Sequence, residues 1–125
     1  MSRLLLDAGA LIALDRNQRA MWIRLTGARR DGTALLTHGG IVGQVWRGPR
    51  QARLAQALRA IRVVPLDVSL GRLAGELLGA SRGADVVDAA LVVLSRSGDR
   101  IYTSDPDDID RLVRAVLRDV EIVPV

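Results

Sequence analysis

The chain contains no cysteine, no lysine and no phenylalanine, and its only aromatic residues are Trp22, Trp46 and Tyr102. Without cysteine there can be no disulfide, thiolate ligand or thiol nucleophile, and nothing speaks for an oxidising compartment. With so few aromatics, the 49% hydrophobic fraction must build its core from Leu, Val, Ile and Ala. Long apolar runs are missing too. Leu4, Leu5 and Leu6 are followed at once by Asp7 and Gly9, which leaves too short a stretch for a signal sequence or a membrane span. The expectation is a soluble cytoplasmic protein with no membrane partner.

What is present bounds the rest. At 125 residues the chain is long enough to bury one sizeable core and too short for two, so residues 1–125 are expected to form a single domain. All 18 basic residues are arginine and the formal net charge is +4. The planar guanidinium fork suits phosphate, but a GC-rich genome would also place arginine at ordinary surface positions. The basic balance permits a nucleic-acid partner without identifying one.

Short apolar runs with strand character recur at Leu4 to Leu6, Ala34 to Thr37, Arg62 to Leu66, Arg100 to Thr103 and Val120 to Val123. Segments with helical spacing lie between them, an alternation that predicts a parallel α/β sheet of about five strands with helices on both faces. The spacing of Met21, Trp22, Leu25 and Ala28 predicts an amphipathic helix from about Gln18 to Arg30. Further helices are expected over Gly40 to Arg47, Gln51 to Ala60, Ser69 to about Ser81 with Ser69 as cap, Asp85 to Leu94, and Pro106 to Leu117.

Aspartates stand at the junctions. Asp7 follows the first strand, Asp85 and Asp88 open an almost wholly apolar helix, and Asp105, Asp107 and Asp108 follow the fourth strand. Each has a structural explanation, because aspartate caps helices and favours their first turn. Taken together they point to more. Side chains at the carboxyl ends of central parallel strands converge on one crevice, where clustered carboxylates repel unless a cation joins them. If the first and fourth strands are neighbours, Asp7, Asp88 and Asp105 meet there, with magnesium or manganese as the natural occupant.

Four segments in this order resemble the PIN-domain family, and specifically its VapC-type toxin ribonucleases. They are Leu4 to Leu14 around Asp7, Gly43 to Arg47, Asp85 to Ala90, and Ile101 to Asp108. The resemblance covers nearly the whole chain and implies a parallel sheet between helices and a metal-dependent endoribonuclease. By position Asp7, Asp88 and Asp105 match its catalytic, metal-binding acids, Asp108 an auxiliary acid, and Thr103 the small polar residue two before the fourth acid. It further implies an RNA substrate, a cognate antitoxin that blocks the acidic groove, and a homodimer.

Two departures set the terms for function. Gln44 stands where the family has its second acid; its carbonyl oxygen can still coordinate, directly or from behind the ligands, but it brings no charge. Ala8 and Gly9 replace residues that often include Ser, Thr or Asn. The alternative reading is therefore a PIN-fold module that binds RNA or protein with weakened or no catalysis. His38, the sole histidine, reads as a surface or hydrogen-bonded residue rather than a ligand. Arg47 is read as either an RNA phosphate contact or a structural ion pair, and Trp22 and Trp46 as core or interface anchors.

Overall fold

The structure is a computed structural model that describes residues 2–83 and 85–125. Among these residues five strands, β1 (Arg3–Leu6), β2 (Ala34–His38), β3 (Arg62–Val64), β4 (Arg100–Thr103) and β5 (Glu121–Pro124), form one sheet. Its order is β3-β2-β1-β4-β5 and every pairing is parallel. The central strand shows why its sequence is a run rather than an alternation: Leu4, Leu5 and Leu6 are fully buried, as a strand covered on both faces requires.

Among the described residues seven helices connect and cover the strands: α1 (Ala8–Asp15), α2 (Arg19–Arg30), α3 (Gly39–Val45), α4 (Ala52–Leu58), α5 (Val68–Ser81), α6 (Val86–Leu94) and α7 (Pro106–Val116). They pack as two groups, with α1 against α2, α3 and α4, and α5, α6 and α7 against one another. Among the described residues no helix is long and apolar enough to cross a membrane. The core is aliphatic as composition requires, with Tyr102 the one aromatic side chain buried in it.

Boundaries differ from the sequence reading where a local bond decides them. β3 stops at Val64 because Pro65 has no N–H to give the ladder. Asp67, not Ser69, caps α5, its Oδ1 accepting from the Leu70 amide at 2.9 Å. Helix α3 begins a residue earlier than expected because His38 caps it, and it ends at Val45 rather than Arg47. Gln51 sits before α4 and spends its side chain across the chain, accepting from the Gly48 amide and donating to the Val45 carbonyl and Asp15.

At the start of β1, Arg3 forms a bidentate pair with the buried Asp99 and donates to the Leu94 carbonyl at 2.7 Å. Arg118 gives one guanidinium nitrogen to the carbonyls of Val92, Val93 and Ser95. Both arginines close the carboxyl end of α6 and so fix the helix whose other end carries Asp85 and Asp88.

Candidate functional site

The sheet order places a topological switch between β1 and β4, since the chain runs outward through β2 and β3 and then returns to the other side of β1. Strand ends diverge there and leave a crevice, the usual ligand position in open α/β sheets. Leu6 pairs with Tyr102, which brings Asp7 beside the residues that follow β4. The condition set by the sequence, that these strands be neighbours, is met.

Asp7 is only 4% exposed and is held by its surroundings on both oxygens. Oδ1 accepts from the Ala10 amide at 3.0 Å and so caps α1, while Oδ2 accepts from the Ser104 amide at 3.1 Å. The Thr103 hydroxyl lies beside the same carboxylate and favours its charge, but desolvation wins and raises its pKa. Thr103 itself is fully buried and its Oγ1 accepts from the Asp105 amide at 2.9 Å. One side chain thus sets the positions of both acids.

Asp85 is spent as the cap of α6, its Oδ1 accepting from the amides of Val87 at 2.8 Å and Asp88 at 3.3 Å. Asp88, one turn into the helix, is left to face the crevice. Burial, followed by the charges of Asp85, Asp7, Asp105 and Asp108, pushes its carboxyl up to about 7. Asp105 is exposed at the start of α7 and makes no capping bond; a hydrogen bond shared with Asp108 and the charge beside it raise its pKa. Asp7, Asp88, Asp105 and Asp108 therefore occupy one electrostatic neighbourhood. Among the described residues, however, no three acids, histidines or cysteines stand close enough to form a ready-made cation cage.

That set suits a hard divalent ion. Every donor is a carboxylate oxygen, and a cation would offset the burial and the repulsion that together raise the Asp88 pKa. Asp7, Asp88 and Asp105 would hold it, with Asp108 alongside.

Gly9 explains one departure from the family pattern. A Cβ at this position would lie 2.2 Å from Ser104 Oγ and 2.4 Å from Ser104 Cβ, so the absent side chain is what admits Ser104 to the crevice beside Asp7. The sequence reading missed Ser104; the signal was a glycine two residues after a strand-end acid. Gly9→Ala should destabilise the fold by about 1–3 kcal/mol, the usual cost of overpacking. The double variant Gly9→Ala/Ser104→Gly should recover most of it in urea denaturation. An unchanged midpoint for Gly9→Ala would show that the loop yields freely.

His38 is not a surface residue. It is fully buried, with Nδ1 accepting from the Gly40 amide at 3.0 Å and Nε2 2.8 Å from the Val87 carbonyl. These partners fix the neutral tautomer with the proton on Nε2, and burial holds its pKa down. The ring is a strut between the end of β2 and the first turn of α6, next to Asp88.

Among the described residues Arg47 makes no ion pair. Its guanidinium turns back onto the carbonyls of Gly43, Gln44 and Trp46 and closes the end of α3. Gln44 is exposed near the end of the same helix, and among the described residues its side chain bonds none of the acids. Trp22 is half-buried and donates from Nε1 to the Leu14 carbonyl at 3.0 Å, an anchor of α2 on α1. No protein-family model matches the chain, and no curated protein matches it in sequence.

Proposed function

We propose that this protein is a magnesium- or manganese-dependent endoribonuclease of the PIN-domain type, acting as the toxin of a toxin–antitoxin pair. The observation that carries the reading is Asp88, raised to about 7 by burial and by four surrounding carboxylates at the β1–β4 switch point. So much like charge on a crevice wall is costly to a fold unless a cation is meant to enter. The chemistry a divalent ion supplies when bound there is activation of a water and neutralisation of phosphoryl charge.

The chain's own residues do the positioning. Thr103 sets the spacing of Asp7 and Asp105, Asp85 frees Asp88 by taking the amides of α6, and Ser104 delivers an amide to Asp7. Metal-dependent cleavage of a structured RNA by the purified protein, abolished by chelator and restored by magnesium, tests the proposal. Loss of metal dependence, or no cleavage at any divalent concentration, would leave the second reading. That reading is a binding module without catalysis, and the uncharged, exposed Gln44 favours it. The antitoxin and the homodimer rest on the family resemblance alone; co-purification from the native operon and light scattering would test them.

Gln44→Glu addresses the choice between the two readings. If residue 44 approaches the metal, the added charge should tighten divalent binding by calorimetry and speed cleavage at low magnesium. Unchanged affinity would place residue 44 outside the site.

A further inference from the structure

A cavity of about 130 Å³ opens between the end of α5, the start of α6 and the face of α7, and its lining includes Arg82 and Arg111 as well as Asp85, Asp88 and Asp108. At the volume a water takes in the liquid, it has room for roughly four waters, enough for a phosphate group. We infer that Arg82 and Arg111 form a two-armed clamp for an RNA backbone phosphate next to the acids. The inference rests on the ribonuclease reading for its ligand but on the cavity for its geometry.

The two arginines approach from different elements and neither is committed elsewhere. Arg82 is the residue at which α5 ends, and among the described residues it makes no ion pair and no side-chain hydrogen bond. Its φ of 57° is left-handed, but Leu117 ends α7 with a φ of 54°, so the backbone alone does not mark it out. Its place on the cavity wall does. Arg111 is 59% exposed and reaches only 3.7 Å from Asp108, a loose pairing one helical turn away. A guanidinium held so weakly is free to give its fork to a better acceptor, and phosphate is the acceptor whose geometry matches it.

Charge complementarity supports the same ligand. The carboxylates in the lining would repel a bare phosphate, whereas the two guanidinium groups among them, with a cation on the acids, make the pocket attractive to one. A strand laid here would have one phosphate between Arg82 and Arg111 and the next part of its backbone at Asp88. Arg82 and Arg111 would be positioning residues for the strand.

The test uses the full chain in magnesium, titrated with inorganic phosphate and, separately, with a labelled single-stranded RNA over a salt series. Arg82→Ala and Arg111→Ala should each weaken phosphate and RNA binding, and the Arg82→Ala/Arg111→Ala double variant should lower the salt slope of RNA binding by roughly 0.7, the value for one phosphate contact on a single strand. Arg82→Gly, which suits the left-handed backbone, should fold at least as well as the parent and show the same loss. Arg30→Ala, at the exposed end of α2, should leave phosphate affinity unchanged, and manganese affinity should not fall in any variant. Phosphate and RNA affinities unchanged in the Arg82→Ala/Arg111→Ala double variant, or no phosphate binding by the parent, would overturn the clamp. Arginine-dependent phosphate binding without RNA cleavage would keep the clamp and sink the ribonuclease reading instead.

Discussion

Asp88→Asn is expected to lower metal-dependent RNA cleavage by roughly 10²-fold or more, the loss usual when one preorganised electrostatic partner of a reaction is removed. In the metal-free protein the same change should stabilise the fold. The asparagine side chain is nearly the same size, keeps the amide of residue 88 available to Asp85, and removes the charge that Asp7, Asp85, Asp105 and Asp108 oppose. Solvent at the mouth of the crevice screens part of that repulsion, so the gain at pH 8 is about 1–2 kcal/mol. Urea unfolding of both proteins with chelator present, beside a cleavage assay, checks both halves. A destabilised Asn variant would mean that Asp88 serves the helix start and not a cation. Parent-like cleavage would remove it from the site.

The second large effect is the response of stability to pH and metal. Asp88 has a folded pKa of about 7 against an ordinary value of 3.8. Between these values the unfolded chain has released its proton and the folded chain still holds it, so stability falls as pH rises. The loss begins above pH about 4 and is complete above about 7. Asp7 and Asp105, both raised, act in the same direction. Saturating manganese should reverse the trend at neutral pH and add about 2.7 kcal/mol when the ion stands at a hundred times its dissociation constant. Thermal melts from pH 4 to 8, with chelator and with manganese, measure it. Metal-free stability that climbs steadily across that range, or melts indifferent to manganese, would contradict the reading of these acids as a cation site.

Much of this was legible in the chain because the signals were local. Apolar runs of strand length ending in aspartate, Asp85 before an apolar helix, and Pro106 at a helix start all act within a few residues, and each element they announced is present. What escaped the sequence depends on distant partners. Whether β1 lies beside β4 could be posed only as a condition, because parallel neighbours share no turn that would declare them. His38 read as a surface or hydrogen-bonded residue, and the second holds, but its partners could not be named, since its two bonds come from α3 and from the Val87 carbonyl, 49 residues away. Arg47 read as an RNA phosphate contact or a structural ion pair, and nothing local announced that its guanidinium would meet the carbonyls its own helix leaves unpaired. Gly9 looked like the loss of a polar group and is the space for one.

The join between β1 and β4 also has a consequence in time. Asp7 and Ser104 are bonded across 97 residues of chain, whereas the Thr37 hydroxyl reaches the Leu6 carbonyl across only 31. Closing the longer loop costs about 1 kcal/mol more in chain entropy, and contacts of long sequence separation slow folding. The β1–β2–β3 half can assemble on short loops while β4 is still searching for its place. During that interval Asp7 has no Thr103, no Ser104 and no Asp105 beside it. A nuclease built on this join would be harmless while it folds and would acquire its acidic crevice only in the closing step.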